Sequence, residues 1–417
     1  MRYLPEPRAA LGRLARRRAV RLARTASART GVPFLVVGGA VRDALLGLRA
    51  GDVDLAAGRE GAASLAGALA SLAGSRAVAI GRAPRRILHV PLGATSVDVW
   101  ETEGPPEDDL LRRDFTVNAL GLAFPGGRLV APAGALEDLR EGRLRLPREG
   151  VLVEDPLRVV RAARFEARLP GFRLHPSALP ELRSAAARLA GVAPERRLAE
   201  LDAILATGAR SAARALARLE RWGALGPILP GVPAPARRRG VALLRGAAGE
   251  APTALLRAIL LAPAGPAAAL AALDALRAGR SDRRLAETLL SLPAPPRRPA
   301  RRDAVLLLRA AAPFSREAAP FLAATGGARG RALAAEASRL LSARGSLARL
   351  LRPRRPLAAE DVARLLDVSG SALGRALASL DEALATGSVR GRRAAIAFLR
   401  DAAGNLRPAA VSGSRTV

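Results

Sequence analysis

Apolar positions divide the chain into two textures. From Phe34 to about Leu146, short β-prone runs recur at Phe34–Val37, Val53–Leu55, Ala77–Ile80, Ile87–Val90 and Ser96–Trp100. Gly and Pro punctuate them, and helical pieces such as Ser64–Leu72 lie between. This pattern predicts an α+β domain built on a small sheet. From Val151 onward the strand signals nearly vanish, and Ala, Leu and Arg recur at helical spacing. Leu157, Val160, Ala163 and Arg164 begin one predicted helix; Leu198, Leu201, Ile204 and Leu205 mark another. Pro-rich breaks at Pro227–Pro235, Pro293–Pro299 and Pro353–Pro356 read as joints in an all-helical arm. No fixed-period repeat predicts a solenoid. Ahead of the sheet, Leu11, Leu14, Val20 and Leu22 sit in an Arg-rich amphipathic pattern. It lacks the continuous apolar core of a secretory signal and predicts an N-terminal helix packed on the domain that follows.

Composition narrows the function classes. At 417 residues the chain is long enough for several domains, and no apolar run is long enough for a membrane span. There is no cysteine, which excludes disulfides and thiolate metal sites and is compatible with a reducing cytoplasm. The two histidines, His89 and His175, are too few for a His-rich metal or phosphohydrolase centre. The formal net charge is +30, and every Lys/Arg position is arginine. Arg, Ala, Gly and Pro enrichment without Lys follows from GC-rich coding; a basic chain also attracts polyanions. Charge alone leaves both readings open.

The candidate chemistry begins at Val36–Leu55, VVGGAVRDALLGLRAGDVDL. A buried strand ends in a Gly38–Gly39 turn, a short helix carries Arg42 and Asp43, and a second strand carries Asp52 and Asp54. Strand side chains alternate, so both carboxylates share one face. Glycines let a backbone approach phosphate oxygens, and an arginine fork can bridge them. Paired aspartates suit two Mg²⁺ ions about 3.5–4 Å apart. Val97 and Val99 flank Asp98, which can join Asp52 and Asp54 if its strand lies beside theirs. A second stretch, Asp109–Leu120 (DLLRRDFTVNAL), holds Arg112, Arg113, Asp114 and Asn118, and by itself reads as a helix with a salt-bridged start. A third, Glu154–Arg168 (EDPLRVVRAARFEAR), sets Arg158, Arg161 and Arg164 along one helix side, with Asp155 just before Arg158. An aspartate acceptor beside an arginine donor can hydrogen-bond a base edge; a solvated charged stripe would look the same in sequence.

Taken in order, GGAVRDALLG with DVDL, RRDFTVNAL, EDPLRVVRAARF and APERRLAELDAIL (Ala193–Leu205) resemble the class II tRNA nucleotidyltransferase and bacterial poly(A) polymerase family, a branch of the polymerase-β-like nucleotidyltransferases, over about residues 30–230. The resemblance implies an α+β fold: a nucleotidyltransferase head with a small mixed sheet, followed by an all-helical neck, body and tail. The expected division is 1–30 N-terminal helix, 31–150 head, 151–230 neck, 231–352 body and 353–417 tail with a disordered end. It implies that Asp52, Asp54 and Asp98 bind Mg²⁺ and catalyse, and that Gly38, Gly39, Arg42, Asn118 and Arg112 or Arg113 meet the triphosphate. It further implies that Asp155 and Arg158 pair with the incoming base, supported by Arg161 and Arg164. Asp43, Asp114, Glu154, Glu195 and Arg196 complete the motifs.

The implied activity is template-independent addition of CCA, or part of it, to the tRNA 3′ end from CTP and ATP in the cytoplasm, with no membrane partner. Pro356–Leu399 is similar to the tail of bacterial relatives that meets the tRNA elbow, which favours tRNA over mRNA tailing. Asp98 and Arg112 lie only fourteen positions apart, joined through GPPEDD (Gly104–Asp109). Many CCA-adding relatives carry a longer flexible loop there, implicated in switching from C to A addition, so CC-only addition is a live reading. The same motifs are compatible with A-only addition, with poly(A) synthesis and with a non-catalytic RNA-binding protein.

Overall fold

The computed structural model describes residues 7–48, 52–81, 86–247, 251–342 and 346–406. The expectations for residues 49–51 of the first motif and for the extreme end of the tail, 407–417, lie outside the described residues. The chain forms two compact units. The first comprises residues 1–201 and 218–228; the second comprises 202–217 and 229–417.

The first unit is built on a seven-stranded mixed sheet. Its strands are β1 (Phe34–Val37), β2 (Val53–Gly58), β3 (Val78–Ile80), β4 (Ile87–Pro91), β5 (Ser96–Thr102), β6 (Gly121–Phe124) and β7 (Arg128–Val130), in the order β3-β4-β5-β2-β1-β6-β7. β2 and β5 run parallel; every other pair is antiparallel. The five expected strands are present. β6 and β7 were not expected and complete the sheet beyond β1. All four residues of β1 are buried, as an uninterrupted apolar run requires of a strand covered on both faces.

Alternation sorts the other central strands. Val53, Leu55, Leu88, Val90, Val97 and Val99 point into one large core. That core is closed by α1 (Pro7–Ala15), α2 (Arg18–Thr30), α3 (Gly39–Leu45) and α4 (Arg59–Ala73), with α1 packed on α3 and α2 on α4. Each fully buried Val or Leu there contributes about 1.5–3 kcal/mol. The opposite face carries only a small apolar cluster of Leu35, Val37, Ala56, Leu110 and Ala119. Asp54, His89, Asp98 and Trp100 alternate out of the large core onto this less covered face.

After the sheet, the first unit continues through α5 (Ala135–Glu141), α6 (Val151–Glu154), α7 (Leu157–Arg168), α8 (Leu179–Arg188) and α9 (Pro194–Leu205). It receives the chain back near the end of α10 (Ala209–Arg221) and through α11 (Leu225–Ile228). Arg218 pairs with Glu166 at 2.9 Å, and Trp222 packs against the large core.

The second unit is helical. Two of its helices, α12 (Ala234–Gly246) and α13 (Thr253–Leu261), meet where a Cβ on Gly240 would lie 1.9 Å from the Leu260 carbonyl oxygen. Gly240→Ala is therefore expected to destabilise by about 1–3 kcal/mol or more, because backbone must yield. A lower midpoint in urea checks it, and an unchanged midpoint would contradict the close approach. On α13, Arg257 is 2 % exposed, and its Nη2 lies 3.0 Å from Asp282 and 3.3 Å from Asp202.

Candidate active site

The acidic centre follows from the parallel pairing of β2 with β5. Asp54 stands directly opposite Asp98 in the register, on strands about 4.8 Å apart. Asp52 precedes β2 and is exposed. Burial pushes the Asp54 carboxyl up, and the charges of Asp98 and Asp52 add to this against the opposing pull of Arg113. On the next strand, His89 is the register partner of Asp98, with Nδ1 2.7 Å from Asp98 Oδ1. Among the described residues, no group of three or more His, Cys, Asp and Glu forms a ready metal cage.

The glycine turn stands beside these acids. Gly38 has φ 73° and ψ −133°, a conformation that favours glycine, and its N–H donates to the Leu120 carbonyl at 3.1 Å. A Cβ on Gly38 would lie 3.5 Å from Nη1 of Arg113. Arg113 is held by Asp109 at 2.8 Å and lies over the Trp100 ring at 5.9 Å. It is thus the arginine of the Arg112–Arg113 pair that faces both the glycine turn and Asp54. Arg112 presents an exposed side chain, while its carbonyl accepts from Arg158 Nη2.

Arg42, expected to meet the triphosphate, lies inside the protein. It is 2 % exposed, donates through Nε to Asp43 Oδ1 at 2.8 Å and through Nη1 to Asn118, and lies over the Phe165 ring at 5.3 Å. Its guanidinium is occupied inside the protein. The chain of contacts runs on in both directions. Asp43 is 3.5 Å from Arg168, and Asn118 donates to Asp114 at 2.8 Å. Asp114 also accepts from the Phe115 N–H and pairs with Arg161 at 2.9 Å. Burial pushes the Asp114 carboxyl up, but Arg161, Asn118 and Arg158 outweigh it and hold it below the usual range.

The stretch 109–120 is not the single helix that its sequence suggests. It forms two 3₁₀ turns, Asp108–Arg112 and Thr116–Asn118. The expected salt-bridged start exists as Arg113–Asp109. Asp114 and Asn118 spend their side chains on local and tertiary polar contacts that compete with a regular helix.

The third stretch turns sharply at Asp155, which has extended backbone between α6 and α7. Asp155 Oδ2 pairs with Arg196 of α9 at 2.9 Å, while Oδ1 is buried with no hydrogen-bond partner among the described residues. Arg158 donates through Nη1 to the Val151 carbonyl at 2.8 Å. Arg161 and Arg164 do lie on the same side of α7 as Arg158, but each faces an acid, buried Asp114 and partly buried Glu200 respectively. Arg161 meets Asp114, and Arg164 approaches Glu200 at 3.1 Å without hydrogen-bond alignment. Burial pushes the Glu200 carboxyl up, against Arg164 and Arg161. Glu154 pairs with Arg148 at 2.6 Å, and Glu195 sits in the first turn of α9.

Sequence reasoning named neither His89 nor Glu200 as part of this site. The only available signals were an isolated polar residue inside an apolar strand, and a glutamate one turn after Arg196.

Residues 34–145 match the family model described as "Poly A polymerase head domain". Residues 171–234 match "Probable RNA and SrmB- binding site of polymerase A". The chain is 41% identical over 173 residues to a CC-adding tRNA nucleotidyltransferase of Synechocystis, covering 41% of each. It is 42% identical over 200 residues to an A-adding tRNA nucleotidyltransferase of Deinococcus radiodurans, covering 47% of this chain and 44% of that one. The chain thus spans less than half the length of these two curated relatives. Among solved structures, the Thermotoga maritima CCA-adding enzyme complexed with tRNA matches at TM-score 0.73 and 21% identity, covering 96% of this chain and 100% of that one. A CCA-adding enzyme complexed with CTP matches at TM-score 0.71 and 20% identity over 100% of both chains. The structural likenesses show that the chain shares its overall fold with these two CCA-adding enzymes.

Proposed function

We propose that this chain, which carries the head and RNA-binding domains of the class II tRNA nucleotidyltransferase and poly(A) polymerase family, adds nucleotides from CTP or ATP to the 3′ end of tRNA without a nucleic-acid template. The observation that carries this reading is the register of Asp54 against Asp98 beside the Gly38 turn. Nucleotidyl transfer needs acidic oxygens next to a phosphate-accommodating backbone, and both stand on one face here.

The donor set fits Mg²⁺. All three candidate ligands are hard carboxylate oxygens, and the mutual repulsion that helps raise Asp54 is what a divalent cation would relieve. Asp52, Asp54 and Asp98 would hold the metal. When bound, Mg²⁺ supplies a lowered pKa for the attacking hydroxyl and charge compensation for the departing pyrophosphate. Arg113, facing both Gly38 and Asp54, neutralises the triphosphate, and exposed Arg112 assists from the neighbouring position. Arg42 acts through others: with Asp43 and Asn118 it fixes the glycine turn to the strand and helix around it.

Base selection falls to Asp155 and Arg158. The partnerless Asp155 Oδ1 suits the exocyclic amine of cytosine or adenine, a donor that both bases share. Arg196 keeps the other oxygen in place. Arg158 and Arg161 set the charge around Asp155, and Arg164 that around Glu200. Arginines elsewhere on the chain neutralise tRNA phosphates, and we infer a cytoplasmic location. No helix among the described residues is long and apolar enough to cross a membrane.

A second reading, addition of CC only, is favoured by the tight path from β5 to Arg113. Thr102 Oγ1 donates to the Gly104 carbonyl at 3.2 Å, the Asp108 N–H donates to the Pro105 carbonyl at 3.0 Å, and Arg59 pairs with Glu103 at 2.9 Å. That leaves no long loop to reshape the site for a final A. The test is incubation of tRNA lacking CCA with labelled CTP, ATP or both. The expected product is tRNA extended by CC, with or without the terminal A. Long A tracts would indicate poly(A) synthesis, A alone an A-adding enzyme, and no incorporation a non-catalytic RNA-binding protein.

A further inference from the structure

We propose that His89 is a positioning residue for Asp98: it holds the third carboxylate by one oxygen and leaves the other free for a cation that would bind there. This rests on the metal-dependent reading above.

β4 and β5 are antiparallel, and His89 and Asp98 are direct register partners. Their neighbours Leu88, Val90, Val97 and Val99 enter the large core, so the two polar side chains stand together on the opposite face. His89 Nδ1 lies 2.7 Å from Asp98 Oδ1. An ionised carboxylate only accepts, so the imidazole proton of this hydrogen bond is on Nδ1. Both side chains are about one-third exposed, at 34% and 36%. An aspartate at that exposure can turn about two side-chain bonds, and a cation would have to arrest that motion on binding. The imidazole arrests it beforehand. With Oδ1 engaged by His89, Asp98 keeps Oδ2 free, and the parallel register sets its strand beside that of Asp54.

The geometry also explains why one histidine suffices. An orienting donor needs only one ring nitrogen, and His89 supplies it through Nδ1. Carboxylates that bind metals are held by such outer partners, whose loss typically costs about 10–100-fold in metal affinity.

The experiment uses the full chain with two substitutions. His89→Val removes the donor with a residue suited to a strand. His89→Asn returns an N–H close to the Nδ1 position. Mn²⁺ affinity is measured from the signal of the free ion by electron paramagnetic resonance, and the Mg²⁺ concentration giving half-maximal incorporation is measured alongside. His89→Val is expected to bind Mn²⁺ about tenfold more weakly and to need correspondingly more Mg²⁺, with kcat largely recovered at saturation. His89→Asn is expected to stay within about threefold of the parent, because it keeps the hydrogen bond.

Parental Mn²⁺ affinity in His89→Val overturns the proposal. So do equal losses in both variants, or a parent chain that binds no Mn²⁺. Should the parent bind Mn²⁺ yet incorporate nothing, the transfer reading fails while the Mn²⁺ comparison still decides the role of His89. Thermal melts of both variants accompany the measurements, and if His89→Val does not fold, loss of Mn²⁺ affinity in a folded His89→Asn protein overturns it equally.

Discussion

An Asp54→Asn protein is expected to lose at least about a thousandfold of its incorporation rate while keeping its tRNA affinity. Asp54 lies at the centre of the acidic group, opposite Asp98 and two residues from Asp52. Its amide analogue fills the same space without the charge that a cation needs. A thousandfold corresponds to about 4 kcal/mol of lost transition-state stabilisation, within what one metal contact supplies. On the proposed function, tRNA would be held by phosphate contacts elsewhere, so its affinity should not follow. The same substitution is expected to raise the melting temperature at neutral pH when a chelator removes divalent cations. The Asp54 carboxyl is raised above its ordinary range. Between that range and its folded value, the folded protein keeps a proton that the unfolded chain has released. Stability therefore falls as pH rises through this window, and above it the ionised side chain is a net burden. Retained activity would sink the catalytic assignment, and a lowered melting temperature would sink the electrostatic one.

Arg257→Ala is expected to cost about 3–5 kcal/mol, read as a shift of the chemical-denaturation midpoint. Its guanidinium stands between Asp202 and Asp282, both roughly one-third exposed, while it is itself almost wholly buried. Its Nε and Nη1 have no hydrogen-bond partner among the described residues, so it is held chiefly by the two carboxylates. Burial pushes the Asp202 carboxyl up, Arg257 pulls it down and Asp282 pushes it up again. Truncation leaves two like charges facing a cavity. Against a typical total stability of about 5–15 kcal/mol, this is a large share. Replacing all three residues together, with Met at 257 and Asn at 202 and 282, should recover most of the loss, because a neutral core needs no ion pair. A single Ala variant as stable as the parent would count against the buried-charge account.

The elements that sequence revealed are those whose signal is local. β1 is a bare apolar run, and β2 and β5 alternate acid with Val, so their identity and facing were readable. Their pairing was not, because the parallel register joins residues forty-four positions apart through α4, β3 and β4. β6, four residues of GLAF directly after a 3₁₀ turn, gave too short a pattern to separate from what precedes it. Arg42 illustrates the limit at the site itself. An arginine after two glycines has the right chemistry for phosphate, and only Asn118 and Phe165, brought from distant stretches, turn it inward. His89 was invisible for the same reason: its meaning lies in the register of two neighbouring strands.

The return of the chain to the first unit through Arg218–Ile228 has a consequence for proteolysis and for synthesis. The backbone crosses between units three times, so no single cut releases two complete halves. A nick anywhere in 202–217 severs the covalent path, yet Arg218 with Glu166 and Trp222 in the large core still tie the returning segment to the first unit. On the ribosome, the sheet strands have all been made once Val130 emerges, but their unit waits for Ile228 before its last segment arrives.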